Sequence, residues 1–233
     1  MRTLITCALL LAAGTLLRAA SPESEIKRGV NPQPVTSLPP NDESGKSYQI
    51  RDYLCLGTFE APSLDEALTK SIFDESVEIF PQANDSTAGK TWVEYQGKAE
   101  RVNVSKMPLD KGADTFAVYF SYWIFSPVEI ENEKFTTYFY AGSKARFFAN
   151  GTELAPSKVV PPDQDPNKRR VYSFENMTLK EGWNHFLIKL AGVSPILKND
   201  EQDEAILALR ISCPKPEILE NLTFSTAVGK GPK

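Results

Sequence analysis

Two stretches decide the fold: Lys180-Glu181-Gly182-Trp183-Asn184-His185-Phe186-Leu187-Ile188-Lys189-Leu190 and Phe147-Phe148-Ala149-Asn150-Gly151. In the first, side chains alternate after Gly182, which predicts a strand with an apolar face. His185 and Lys189 fall on the opposite face, where we expect them to meet solvent. The second stretch runs into Asn150-Gly151, the dipeptide most typical of a tight hairpin turn, because both residues tolerate positive φ. Both stretches predict antiparallel strands of a sandwich.

Short strands recur at turn-marked intervals through residues 48–213 and predict an all-β fold. We expect a jelly-roll β-sandwich of about eight to ten antiparallel strands. Residues 115–125 are apolar on both faces, which is typical of a central strand. Ser63 followed by Glu66 predicts the start of one short helix that covers an end of the sandwich. Residues 155–170, rich in proline and charge, are predicted to form a loop.

The N-terminus has the pattern of a secretory signal. Arg2 precedes an apolar run over residues 4–17, and small residues, Ala19 and Ala20, follow. The run is shorter than the roughly 20 residues that a membrane span requires. We therefore expect residues 1–20 to be a signal peptide, no membrane span, and a secreted or periplasmic protein.

Two further segments flank the predicted sandwich. Residues 21–47 are polar and proline-rich without periodicity, which predicts a disordered linker. Residues 214–233 form a C-terminal tail whose apolar residues are predicted to pack along an edge of the sandwich.

The charge distribution argues against nucleic acid as a partner. The 233-residue chain has a formal net charge of −4, and removal of a leader with two arginines makes it more negative. Lys168-Arg169-Arg170 is the one basic cluster, whereas nucleic-acid binding requires a basic stripe.

Two cysteines, Cys55 and Cys213, remain after the leader. They lie in the first and last predicted strands, and thiols in an oxidising compartment usually pair. A Cys55–Cys213 disulfide is the prediction, and two buried free thiols are the alternative.

Several motifs resemble, in order, those of galactose-binding-domain-like β-sandwiches of secreted bacterial proteins. The resemblance spans about residues 53–211 and rests on Leu54-Cys55-Leu56-Gly57-Thr58-Phe59, Thr91-Trp92-Val93, residues 119–127, residues 147–151 and residues 180–190. It implies a jelly roll that acts as an accessory or carbohydrate-binding module, with Trp92 and Trp183 at structural positions, where we expect core residues.

The chain departs from this pattern where many relatives have Asp-Asp before the Asn-Gly strand. Gly142-Ser143-Lys144 stands there instead, so a ligand or ion contact made by those acids is in doubt. Carboxylates in loops still leave room for a structural calcium ion, whose ligands the sequence does not identify.

Catalytic chemistry finds little support in the sequence. His185, the single histidine, has neither an acid nor a nucleophile beside it in the chain. The acids concentrate in predicted loops, Asp74-Glu75 among them, where we expect solvated charge. We predict that the protein is not an enzyme, with a small hydrolase as the remote alternative.

Five residues on two consecutive predicted strands are the candidate ligand-binding set: Tyr138, Tyr140, Arg146, Phe148 and Asn150. They would form an aromatic patch with a polar rim. The alternative is that these rings pack under the loop 155–170. The predicted function is an exported, non-catalytic module that binds carbohydrate or serves as an accessory module, and the alternative is a protein-interaction or cell-envelope assembly module.

Overall fold

The structure, a computed structural model, describes residues 33–34, 47–50, 52–96, 102–104, 114–140, 143–166, 169–193, 206–212 and 221–226. Within these residues there is one α-helix, α1 (Leu64–Thr69), and a short 3-10 helix spans Pro162–Gln164. The strands are β1 (Gln33–Pro34), β2 (Ser47–Ile50), β3 (Asp52–Glu60), β4 (Ser86–Thr87), β5 (Lys90–Thr91), β6 (Val93–Gln96), β7 (Val102–Asn103), β8 (Thr115–Ser126), β9 (Ile130–Tyr140), β10 (Lys144–Ala149), β11 (Thr152–Leu154), β12 (Lys158–Val160), β13 (Arg169–Leu179), β14 (Gly182–Val193), β15 (Ile206–Ser212) and β16 (Thr223–Ser225). The prediction of an all-β protein with one short helix is confirmed.

Two antiparallel sheets contain nearly all of these strands. Sheet A has the order β1-β2-β15-β9-β13-β12, with β7 paired to β15. Sheet B has the order β11-β10-β14-β8-β3-β6, with β16 paired to β8. The strands β4 and β5 form a separate small hairpin. The predicted central strand is confirmed, because β8 lies in the middle of sheet B and is buried along most of its length.

An apolar core joins the two sheets. Phe147 of sheet B packs against Tyr172 and Phe174 of sheet A, with ring centroids 5.3 and 4.7 Å apart. The Tyr172 hydroxyl also accepts a hydrogen bond from the backbone N–H of Ala145 at 3.2 Å. Further core side chains come from β8 and β14, because every second side chain of these strands points inward.

Three local features differ from the sequence-based expectation. The first predicted strand is divided, because β2 joins sheet A while β3, two residues later, joins sheet B. The predicted loop 155–170 contains β12, which pairs with β13 at the edge of sheet A. The tail contributes β16, which pairs with β8 beyond the end of β3, and its Phe224 is buried in the inner core.

A further layer covers the outer face of sheet B. Residues 61–92, which we call the cover segment, include α1 and the β4–β5 hairpin. The helix begins at Ser63, whose hydroxyl accepts a hydrogen bond from the Glu66 N–H at 3.2 Å. It packs over β8, β10 and β14, and not over an end of the sandwich as predicted. The reason is that Leu64 and Leu68 find small apolar partners, Ala117 and Ala191, on that outer face.

Candidate functional site

The five predicted ligand-binding residues lie in two different sheets. Tyr138 and Tyr140 are on β9, which pairs with β13 and β15 in sheet A. Arg146 and Phe148 are on β10, and Asn150 follows it at the hairpin turn, in sheet B. The consecutive strands β9 and β10 are therefore not neighbours in one sheet, and the expected common face of the five residues does not form. The positions of the two tyrosine side chains lie outside the description, so their role stays a prediction.

Arg146 is held by protein partners on several sides. Its guanidinium forms a two-pronged ion pair with Glu153, with N–O distances of 2.6 and 2.7 Å. A third nitrogen contacts Glu75 at 3.1 Å, and the group lies 5.1 Å from the centre of the Phe148 ring. The hydrogen bond from Arg146 lowers the pKa of the Glu153 carboxyl. Phe148 is itself buried. Through its contact with Glu75, Arg146 links sheet B to the cover segment.

Glu75 of the cover segment is the centre of a buried polar network between that segment and sheet B. Its carboxylate accepts hydrogen bonds from the Tyr119 hydroxyl at 2.6 Å and the Lys189 ammonium at 2.9 Å. Tyr119, Lys189 and Arg146 are register partners on three adjacent strands, so the sheet presents them side by side. The expectation that Glu75 is solvated is wrong, because this residue is only 4% exposed.

Lys189 is fully buried, contrary to the prediction that it meets solvent. Besides Glu75, its ammonium donates to the carbonyl oxygen of Lys70, at the end of α1, at 2.6 Å. Burial lowers the pKa of Lys189, and burial together with the Glu75 hydrogen bond raises the pKa of Tyr119 above its usual range. Both of these hydrogen bonds from Lys189 are to the cover segment, which is thereby attached to sheet B.

His185 is also buried, at 2% exposure, so the prediction of a solvent-facing imidazole is wrong. Its Nε2 atom lies 2.8 Å from the hydroxyl oxygen of Ser121. Burial lowers the pKa of His185 to about 3, and the ring is therefore neutral at ordinary pH. No carboxylate among the described residues completes the pair into a catalytic triad. Sequence adjacency missed Ser121 because it lies on the neighbouring strand.

Asn150 has a structural role at the predicted turn. Asn150 and Gly151 both have positive φ, 50° and 77°, which confirms the hairpin prediction. The Asn150 side chain accepts a hydrogen bond from the His185 N–H at 2.9 Å and donates to the Asn184 amide oxygen at 3.0 Å. The amide is thus engaged in linking two turns of sheet B.

Partly exposed aromatic rings occupy one end of the outer face of sheet B. Phe125 and Trp183 are direct register partners on β8 and β14, and their rings meet edge to face at a centroid distance of 5.3 Å. Both remain partly accessible, which corrects the expectation that Trp183 is a core residue. Trp92, by contrast, is buried as expected. We call Phe125 and Trp183 the aromatic shelf.

A second aromatic group, which we call the outer stack, lies in the adjacent row of the sheet. Trp123 and His185 are register partners with ring centroids 4.6 Å apart. Phe80 of the cover segment stacks on Trp123 at 5.0 Å, with 24° between the ring planes, and is 39% exposed. The register pairs of shelf and stack lie two residues apart along β8 and β14, and we call the two groups together the row of rings.

Cys55 is a free thiol in the inner core, and burial raises its pKa well above the usual value. It lies on β3 of sheet B, whereas β15, which ends one residue before Cys213, belongs to sheet A. Cys213 itself is outside the description, and the predicted bridge is not formed by Cys55 in this structure.

Among the residues that the structure describes, no group of three or more His, Cys, Asp or Glu side chains is arranged to hold a metal ion. No helix in that part of the chain has the length and apolar character required to cross a bilayer.

Comparisons with known proteins give a likeness to solved structures. No family model matches the chain, and no curated protein matches it. Among solved structures, the chain is similar to the β-glucosidase from Kluyveromyces marxianus in complex with glucose, with a TM-score of 0.38 and 12% identity. The match covers 71% of this chain and 17% of that one. The chain therefore spans less than a fifth of that protein.

Proposed function

We propose that this protein is an exported, non-catalytic β-sandwich module of galactose-binding-like type that binds carbohydrate at the aromatic shelf. The observation that carries the proposal is the pair of partly exposed rings, Phe125 and Trp183, which meet edge to face on the outer face of sheet B. An exposed aromatic face offers a flat apolar surface to the C–H side of a sugar ring. Such apolar surfaces that remain open in a folded domain commonly mark binding sites.

The charged residues of sheet B support this choice by elimination. Arg146, Lys189 and Glu75 are committed to one another and to the cover segment. Recognition through these charges would require breaking buried ion pairs, which is costly. At the shelf, large apolar groups remain partly accessible without such a cost.

The proposal that the protein is non-catalytic rests on the burial and the lowered pKa of His185. The imidazole is covered by the cover segment, and its pKa of about 3 makes it a weak base. A general base performs best with a pKa near the working pH and within reach of substrate. Export rests on the sequence pattern of residues 1–20.

A glycan array with the protein comprising residues 21–233 tests the proposal. We expect wild type to retain at least one glycan and Trp183→Ala to lose it by about tenfold or more, since stacking on a ring is removed. Val159→Ala, at an exposed position on β12 of the other sheet, is the matched control and should bind as wild type does. Repeating the array with and without calcium examines ion dependence. Equal binding by wild type and Trp183→Ala would refute the shelf as the site.

Protein interaction is the second candidate function, and the edge of sheet A favours it. The strand β12 is the last in that sheet, and Val159 at its centre is 42% exposed. Exposed edge strands can pair with an extended segment of another protein. Silence on the array together with capture of a partner that Val159→Lys abolishes would support this candidate instead.

A further inference from the structure

The indole N–H of Trp123 stands out among the polar groups of the outer face. Trp123 is 1% exposed, and its Nε1 atom has no hydrogen-bond partner among the described residues. Trp92, which is equally buried but belongs to the cover segment itself, donates its indole N–H to the Thr87 hydroxyl at 2.9 Å. A buried donor without a partner is unfavourable, and native proteins leave few of them without a functional reason.

Phe80 is the group that covers Trp123 from outside. Its ring is stacked nearly parallel on the indole yet is 39% exposed, so it gains only part of the benefit of burial. It lies in a stretch of the cover segment without regular secondary structure, and the nearby Val77 is 54% exposed. The anchors of this stretch are elsewhere, at Glu75 with its ion pairs and at Asp85, which accepts a hydrogen bond from the Gln82 N–H.

The contacts of Phe80 are therefore ones that another flat ring could replace. Displacing it would uncover the Trp123 face while the ion pairs of Glu75 remain in place, because they involve different residues. The exposed position of Phe80 gives the side chain room to move outward. A ligand that binds only when this side chain is displaced has its apparent affinity reduced by the fraction of molecules in the open form.

The chemistry around Trp123 selects the class of ligand. An indole N–H is a donor only, so its partner must offer an acceptor oxygen. The adjacent Ser121 and His185 are hydrogen-bonded to each other, and His185 is uncharged at neutral pH. An aromatic face, one free donor and uncharged neighbours suit an uncharged ring that carries hydroxyl or ether oxygens.

We propose that Trp123 is the floor of a second sugar subsite, next to the aromatic shelf, and that Phe80 occupies it until a neutral pyranose ring displaces it. One sugar unit stacks on the indole in place of the phenyl ring, and an oxygen of the glycan that reaches the edge of the indole accepts a hydrogen bond from Nε1, because that N–H lies in the ring plane. This subsite rests on the proposed carbohydrate function and gives it a ligand class, a neutral glycan of at least two sugar units along the row of rings.

Titration of the residue 21–233 protein with the methyl glycosides and β-linked disaccharides of glucose, galactose and mannose tests the subsite. Binding is followed by calorimetry and by tryptophan fluorescence. We expect Phe80→Ala to tighten binding by about tenfold, because the competing ring is gone. We expect Trp123→Phe to weaken it by about tenfold, because that change keeps a smaller stacking ring and removes the N–H donor. Val77→Ala, on the same stretch, should match wild type.

Three outcomes separate this subsite from the function on which it rests. Binding that Trp183→Ala abolishes but that is unchanged in both Phe80→Ala and Trp123→Phe refutes the subsite and leaves the shelf standing. Weaker binding by Phe80→Ala refutes displacement, since the phenyl ring would then be part of the site. No binding of any sugar to wild type or to Phe80→Ala refutes both proposals. Near-ultraviolet circular dichroism of Trp123→Phe verifies that the variant is folded.

Discussion

Replacing His185 with glutamine tests the burial of the imidazole through the pH dependence of stability. The pKa of His185 is lowered from 6.5 to about 3 because the ring is buried and the charged form loses its hydration. At a pH between these two pKa values, the unfolded chain binds a proton that the native protein does not bind. The free energy of unfolding therefore falls as the pH falls through this window.

The size of this effect follows from the two pKa values. With 6.5 for the unfolded chain and about 3 for the native protein, the histidine costs the native state about 2 kcal/mol at pH 5 and about 3 kcal/mol at pH 4. Glutamine has no proton to gain and can still hydrogen-bond to Ser121. The variant should thus lack this part of the acid destabilisation, whatever its stability at pH 7.

Urea denaturation at pH 7, 5 and 4, monitored by tryptophan fluorescence, measures the difference. Carboxylates also titrate at low pH, but they are common to both proteins and cancel in the comparison. We expect the loss of stability from pH 7 to pH 5 to be about 2 kcal/mol larger in wild type than in His185→Gln. Equal losses would show that the imidazole is accessible in the native protein and would contradict the burial described for the outer stack.

Two further predictions concern the attachment of the cover segment. Glu75→Gln should destabilise the protein by about 3–5 kcal/mol in urea denaturation, because it leaves the fully buried Lys189 ammonium without its counter-charge. The control is Asp74→Asn at the exposed neighbouring residue, whose stability should lie within about 1 kcal/mol of wild type. A loss for Glu75→Gln as small as the control's would mean that Lys189 is hydrated. Gly151→Ala should lower the melting temperature more than Gly89→Ala, since both glycines have positive φ but only at Gly151 would the new methyl group meet a backbone oxygen, at 2.6 Å. Equal shifts would show that the hairpin and the cover segment are not in contact.

Much of the strand layout could be predicted because it depends on neighbours along the chain. Alternation over β14, the double-sided apolar character of β8 and the Asn150-Gly151 turn all reflect local rules. The Ser63 cap is equally local. Each of these features is present where the sequence placed it, because backbone geometry alone links the residues involved.

The buried network could not be predicted for the opposite reason. Glu75 meets Tyr119 and Lys189, which are 44 and 114 positions away in the chain. Alternation correctly placed Lys189 and His185 on the outer face of their strand, but it carries no information on whether a further layer covers that face. Only the path of the cover segment decides this, and its loops follow no simple period.

The predicted ligand patch depended on an assumption about connectivity. Tyr140 and Arg146 are separated by a short connection, which suggested two paired strands in one sheet. In the structure the chain crosses between sheets there, as it does between β2 and β3. A connection of a few residues can form either a hairpin or a crossing of the sandwich, and composition did not distinguish them.

The burial of Lys189 also makes its amine a reporter of chemical reactivity. Reagents that acylate amines act on the neutral, accessible form, so exposed lysines react while Lys189, fully buried, is shielded. Once the cover segment lifts from sheet B, this amine becomes available for modification. Acylation would then prevent the amine from returning to the Glu75 carboxylate. Any opening of this layer would thus leave a permanent covalent label on Lys189, and mass spectrometry can quantify that label.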